Sequence, residues 1–118
     1  MKTFASKLNR PTFNVDTTNF EYINLADLYN SEDNGGADVI HKINGVFINQ
    51  SQFGDNPVVI CDEYKALVNL PKHTASSIKQ ILEDPELVET VKRGKAGFTI
   101  YEYESHKKKC YSIVFVDL

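Results

Sequence analysis

The chain has 118 residues, of which 42% are hydrophobic and 25% charged, and its net charge is −3. This length and composition predict one globular domain, residues 1–118, that buries a modest core and leaves no room for a second domain. No stretch has the apolar length of a membrane span or a secretory signal, so we expect no membrane partner.

The charges are distributed unevenly along the chain. Six acidic residues and no Lys or Arg lie in residues 11–41, whereas residues 92–109 hold six basic residues against two glutamates. Such polarity can orient an anionic ligand that the net charge alone would repel. The alternative interpretation is that both runs are solvated loops.

The two cysteines lie inside apolar runs. Cys61 and Cys110 are therefore predicted to be buried free thiols rather than a disulfide. Free thiols agree with a reducing compartment, and we expect a cytoplasmic protein.

The first third of the chain predicts an arm, a strand and a loop. Residues 1–10 are expected to form a mobile basic arm. Residues 12–23 are rich in Phe, Val, Thr and Tyr and predict the first strand, bent or bulged near residues 16–18. Residues 24–29 fit one helical turn with Asn24 as its cap, and residues 30–37 are typical of a loop.

The middle of the chain predicts a bent strand and a hairpin. Residues 38–49 are apolar on both faces, which is typical of a strand whose halves turn different sides to the core, and Gly45 lies where the bend is needed. Residues 50–56 predict the hairpin connection, and residues 57–61 the third strand.

Only one region has the periodicity of a helix. It follows a short apolar run, residues 66–70. Thr74 or Ser76 is expected to cap a first helix, and Asp84, followed by proline, begins a second. Gly94 predicts the end of that second helix.

The last part of the chain predicts a β-hairpin with aromatic arms and a basic tip. Its arms are residues 97–103 and 110–116, and residues 104–109 form a loop that no core could accept. On the first arm we place Tyr101 and Tyr103 on the outer face. Four phenylalanines are expected in the core instead: Phe20, Phe47, Phe98 and Phe115.

The resulting order is strand, strand, strand, helix, strand, strand. It predicts a mainly β fold, a five-stranded OB-like barrel with one helical segment between strands 3 and 4. OB-folds bind oligonucleotides or oligosaccharides with strands 2 and 3 and with the loops 1–2 and 4–5. In this chain the loop between strands 4 and 5 would be residues 104–109.

Several motifs resemble the single-stranded-DNA-binding proteins of lactococcal and other Gram-positive tailed phages. They are Phe47-Ile48-Asn49 leading to Phe53-Gly54, Val68-Asn69-Leu70-Pro71 followed by His73, and residues 94–103 before Cys110-Tyr111-Ser112-Ile113. The resemblance covers about residues 39–117. It implies an OB-fold that binds single strands in the host cytoplasm as a homo-oligomer, a dimer or tetramer. It also implies a role in phage DNA replication or recombination, with proteins of those processes as partners.

The residues themselves indicate where a single strand would bind. A binder that ignores sequence needs cations for phosphates and flat side chains on which bases stack. The candidate nucleic-acid-binding residues are Lys107, Lys108, Lys109, Tyr101, Tyr103, Lys95, Arg93, Lys42 and Phe53. Arg93 has a simpler interpretation as a cation that stabilises a helix end. Phe53 would reach either a ligand or a second subunit.

The chain lacks the motifs of an enzyme or a metal site. It has no Cys-x-x-Cys pair, no glycine-rich phosphate loop between a strand and a helix, and no nucleophile with a base. We therefore expect no catalysis, no cofactor and no metal. The alternative function is a small phage protein that binds and modulates a host or phage protein through its acidic residues 16–38.

Overall fold

Seven strands and three helices make up the part of the chain that the computed structural model describes, residue 13, residues 15–52 and residues 54–118. Among the described residues, strands take the larger share, 42% against 27% for helices. The predicted mainly β class is therefore confirmed. The predicted arm, residues 1–10, and Phe53 lie outside the described residues.

The strands form two sheets. In the first sheet the order is β1-β5-β4-β3, with β1 Glu21–Asn24, β3 Gly45–Ser51, β4 Gly54–Cys61 and β5 Ala66–Asn69. Strand β1 runs parallel to β5, and the other pairs are antiparallel. The second sheet is antiparallel in the order β2-β6-β7, with β2 His41–Lys42, β6 Ala96–Ser105 and β7 Lys108–Asp117.

The helices are α1 Leu25–Tyr29, α2 Ala75–Glu83 and α3 Pro85–Lys92, and two 3₁₀ turns lie at Asp62–Tyr64 and Lys72–Thr74. Asp84 caps α3, since its carboxylate accepts a hydrogen bond from the Glu86 amide at 2.9 Å. Gly94, at φ +72°, ends α3: its amide donates to the Val91 carbonyl, and the next amide, of Lys95, donates to the Thr90 carbonyl. Both predicted ends of α3 are confirmed.

The predicted caps of α1 and α2 are confirmed only in position. Asn24 and Thr74 precede these helices, yet neither side chain bonds to the helix amides. The Thr74 hydroxyl instead donates to the Pro71 carbonyl at 2.7 Å. The preceding 3₁₀ turn brings that carbonyl within reach of the Thr74 hydroxyl, which bonds to it instead of to the amides of α2.

The bend predicted near Gly45 separates the two sheets. Residues 38–49 divide into β2, which pairs with β6, and β3, which pairs with β4. Asn44 lies between them and accepts a hydrogen bond from the Asp62 amide at 3.0 Å through its side chain. A Cβ at Gly45 would lie 2.9 Å from the Phe13 Cβ. Only glycine therefore allows the chain to pass this close to its neighbour.

Three local predictions are wrong. Residues 15–20 are not a strand, because Asp16 accepts a hydrogen bond from the Thr18 amide and turns the chain, so that only the last residues of the predicted first strand are extended. Residues 50–56 are not all connection, because β3 continues to Ser51 and β4 begins at Gly54. In addition, residues 66–69, to which the sequence assigned no element, form a strand and raise the strand count. Residues 104–109 are not a loop: the strands continue to Ser105 and from Lys108.

The hairpin instead closes through a two-residue turn. His106 and Lys107 have φ values of +52° and +65°. Positive φ at both central residues is typical of a type I′ turn, whose twist matches that of the flanking strands. The basic tip is therefore shorter and more ordered than the sequence predicted.

The described strands do not close into a barrel. The bent segment, residues 41–51, joins the two sheets along one side, whereas the pairings of β7 are to β6 alone. Helix α1 lies at the open side, where the rings of Tyr29 and Tyr111 are 5.2 Å apart. The prediction of five strands in one barrel is thus replaced by seven strands in two sheets.

The core lies between the two sheets and the helices. Phe98 and Cys61 are fully buried, and Cys61 is a free thiol, as predicted. Phe20 and Phe47 are half-buried at a smaller cluster. Phe115, predicted to be in the core, is 39% exposed because it lies near the end of the outer strand. Cys110, predicted to be buried, is only half-buried.

Among the described helices, none is long and apolar enough to cross a membrane.

Candidate nucleic-acid interface

The two long strands of the closing hairpin have two distinct faces. Residues directly opposite each other in an antiparallel pair share a face, and successive residues alternate. We name one side the tyrosine face: it holds Thr99, Tyr101, Tyr103 and Ser105 with their partners Val114, Ser112, Cys110 and Lys108. The other side, the core face, holds Phe98, Ile100, Glu102 and Glu104 with Phe115, Ile113, Tyr111 and Lys109.

Tyr101 and Tyr103 form an exposed aromatic pair. Their side chains are 42% and 38% exposed, which confirms the predicted outward orientation. The ring centroids lie 5.8 Å apart with an interplanar angle of 40°. Desolvation, and then the neighbouring Cys110 and Tyr101, raise the pKa of the Tyr103 phenol above its ordinary value. Tyr103 is therefore a neutral ring at physiological pH, with no negative charge to repel phosphates.

The alternation also sorts the charges of the hairpin tip. Lys108 pairs with Ser105 and lies on the tyrosine face, whereas Lys109 pairs with Glu104 on the core face. Glu102 is also on the core face. The tyrosine face of these strands thus carries a cation beside the aromatic pair and no carboxylate from residues 99–114. The three lysines of the tip are therefore not equivalent, and Lys107 lies in the turn.

A residue from a distant part of the chain reaches this face. Ser112, opposite Tyr101, is buried, and its hydroxyl lies 2.8 Å from Nε2 of His73. His73 belongs to the 3₁₀ turn that follows β5 and is itself exposed. No local pattern in the sequence could have predicted this contact, because His73 and Ser112 are 39 positions apart.

The other predicted cations lie at the foot of the hairpin. Lys42 and Arg93 line a cleft of about 780 Å³ together with Lys65 and Lys92, while Lys95 is exposed outside it. Lys42 pairs with Gly97, eight residues along β6 from Ser105 at the tip. At the rise of a strand, the foot and the tip are about 26 Å apart. The predicted site is therefore divided into two basic regions.

Lys65 lines the same cleft, although it is not among the candidate residues predicted from the sequence. Its ammonium lies 2.9 Å from the Asp62 carboxylate and 5.4 Å from the centre of the Phe20 ring. This cation–π contact places Lys65 at the cleft. A lysine in a turn has no pattern that would have predicted it.

Among the described residues, two titratable side chains are fully buried, His41 and Cys61. His41 is fully buried against Phe98 and lies 3.0 Å from the Tyr64 hydroxyl, and burial lowers its pKa. Burial and Glu63 raise the pKa of the Cys61 thiol to about 12, so it is protonated at neutral pH. Within the described ranges no group of three or more His, Cys, Asp or Glu side chains is placed to hold a metal.

In comparisons with known proteins, no family model, no curated protein and no solved structure matches the chain. The similarity to phage single-strand-binding proteins thus rests on the sequence motifs alone.

Proposed function

We propose that the chain binds single-stranded DNA without sequence preference, with the tyrosine face as its binding surface. The observation that carries this proposal is the exposed pair Tyr101 and Tyr103, which lies beside Lys108 on a face without carboxylates from either strand. Bases stack on such rings whatever their identity, because every base has a π-face, and the lysine contacts the phosphates between them.

The same proposal includes an open form of the OB-fold. The bent segment, residues 41–51, would act as the first OB strand, followed by β4 and β5, the two helices, and then β6 and β7. The helical segment then falls between the third and fourth OB strands, as in that fold. Strand β1 is an addition that covers the outer edge of β5. In this scheme the turn at His106 and Lys107 is the loop 4–5 that OB-folds use for oligonucleotides.

The biological setting of the proposal comes from the sequence resemblance. It is phage DNA replication or recombination in the host cytoplasm, by a homo-oligomer that acts with other proteins of those processes. Non-specific affinity suits that role, since exposed single strands of any sequence must be covered.

Fluorescence and salt together test the proposal. The chain has six tyrosines and no tryptophan, so quenching of tyrosine emission by oligo-dT would report stacking directly. Affinity should fall as salt rises, because lysines that bind phosphates release counterions. Absence of any affinity for oligonucleotides at low salt would overturn the proposal.

A second candidate function, binding of a host or phage protein, has one observation in its favour. The six acidic residues of the N-terminal third are all exposed: Asp16, Glu21, Asp27, Glu32, Asp33 and Asp38. Exposed carboxylates of one sign favour a basic partner surface. Replacement of Asp27, Glu32, Asp33 and Asp38 by their amides should abolish such binding and leave oligonucleotide binding intact. If the amide variant keeps its protein partner, the acidic surface has no such role.

A further inference from the structure

The cleft at the foot of the hairpin has an excess of positive charge. Lys42, Lys65, Lys92 and Arg93 line it against two carboxylates, Asp16 and Asp62. Asp62 is ion-paired with Lys65 at 2.9 Å, and Arg93 pairs outside the cleft with Glu89 at 3.1 Å. No ion pair holds Lys42 or Lys92 within the described part of the chain. Two cations are thus available to an anionic ligand.

These cations are not needed to finish helix α3. The amides of Gly94 and Lys95 bond to the carbonyls of Val91 and Thr90, both at 3.0 Å, in the arrangement of a Schellman cap. Two of the last carbonyls of α3 therefore already have backbone donors. A favourable interaction with the helix dipole remains for Lys92 and Arg93, but this interaction is small for an exposed cation.

The absence of a side chain at Gly94 leaves room for the Lys42 side chain. A Cβ at Gly94 would lie 2.9 Å from Cε and 3.0 Å from Nζ of Lys42. The Lys42 side chain therefore crosses the glycine and carries its ammonium to the end of α3. Lys42 and Lys92 line the same cleft although 50 positions separate them in the sequence.

We propose that this cleft binds the phosphate backbone of the same single strand whose bases stack on the tyrosine face. The inference rests on the proposed function and extends it from the tip of the hairpin to its foot. A strand that reaches both regions covers about 26 Å, the length of β6 between Gly97 and Ser105. Two weak regions joined by one ligand bind more tightly than either alone, because the second contact becomes intramolecular.

Oligo-dT of two lengths tests the inference, about 4 and about 12 nucleotides, which lie within the range of OB-fold site sizes. The variant carries Lys42→Gln and Lys92→Gln, and the control is Lys79→Gln, an exposed lysine of α2 that does not line the cleft. The measured quantity is the salt slope, the slope of the logarithm of the binding constant against the logarithm of the salt concentration. For the longer oligonucleotide, this slope should decrease in magnitude by about 1.4 in the variant, since each phosphate contact on a single strand contributes about 0.7. The shorter oligonucleotide should show an unchanged slope, and the control should match the wild type.

Two results would overturn the inference: an unchanged slope in the double variant on the longer strand, or an equal decrease in Lys79→Gln. The single variant Lys92→Gln is the control for misfolding of the double variant, because Lys92 is exposed and its replacement should not disturb the fold. Failure of the proposed function would be distinct, as the shorter oligonucleotide would then not quench tyrosine emission. In that case, two measurements with the longer oligonucleotide still test whether the cleft binds phosphates. They are the salt slope of its binding and the shift of the Gly94 amide resonance when it is added.

Discussion

His73 Nε2 and Ser112 Oγ lie 2.8 Å apart and connect the turn after β5 to strand β7, across the side where the two sheets are not hydrogen-bonded to each other. The contact supports the tyrosine face from one edge, because Ser112 is opposite Tyr101. We expect Ser112→Ala to lower the free energy of unfolding by about 0.5–1.5 kcal/mol, the usual net contribution of a hydrogen bond. Urea denaturation of Ser112→Ala, His73→Ala and the double variant measures it. Fully additive effects would show that the two side chains do not interact.

Replacement of the tyrosines should weaken DNA binding directly. Tyr101→Ser and Tyr103→Ser should each reduce the binding free energy for oligo-dT by about 1–3 kcal/mol if each ring stacks on one base. Tyr22→Ser is the matched control, since Tyr22 is 53% exposed but lies on the other sheet. Fluorescence anisotropy of a labelled oligonucleotide gives the affinities. Equal losses in all three variants would exclude the tyrosine face as the binding surface.

The two lysines at the start of β7 should differ in their effect. Lys108→Ala should make the salt slope of single-strand binding less steep by about 0.7, because Lys108 shares the tyrosine face. Lys109→Ala should leave the slope unchanged, since Lys109 lies opposite Glu104 on the core face. The substitutions are chemically identical, so each is the control for the other. A larger effect of Lys109 would mean that the strand binds the core face.

The stability of the fold should depend on pH through His41. Burial lowers the pKa of His41, and Glu63 only partly opposes that effect. As the pH falls below about 6.5, His41 becomes protonated in the unfolded chain, whereas in the folded chain it stays neutral to a lower pH. The free energy of unfolding should therefore decrease as the pH falls from 7 to 5.

Thermal melting across that range checks the prediction about His41. His41→Phe should remove most of the dependence, because it removes the buried imidazole. A wild-type melting temperature that is constant from pH 7 to pH 5 would contradict it.

Gly45→Ala should destabilise the bend between the sheets. The added methyl group would lie 2.9 Å from Cβ of Phe13 and 3.0 Å from Cδ1 of Ile60, both in the core. Overpacking of this kind costs about 1–3 kcal/mol. Chemical denaturation of the variant measures the loss, and an unchanged midpoint would show that Phe13 moves aside without cost.

Local chemistry was enough to predict several features. Asp84 followed by proline, and Gly94, mark the ends of α3, because capping depends on residues within one turn. Strict alternation in β6 placed Tyr101 and Tyr103 outward, since side chains on a strand point to opposite faces in turn. The bend near Gly45 was likewise predicted from the apolar residues on both faces of residues 38–49.

Other features depended on contacts that no local pattern encodes. The length of the turn at His106 and Lys107 determines which lysine shares the tyrosine face, and a slip of one residue would exchange Lys108 with Lys109. The parallel pairing of β1 with β5 and the meeting of His73 with Ser112 join segments that are 39 or more positions apart.

The sequence by itself therefore determined the β-rich class, the closing hairpin and its aromatic face, because periodicity, caps and turns act over a few residues. Only the tertiary structure decided that the basic residues divide between tip and foot, and that the sheets remain open on one side. The physical reason is that strand pairing and the packing of α1 against β7 select one arrangement among many with the same local preferences.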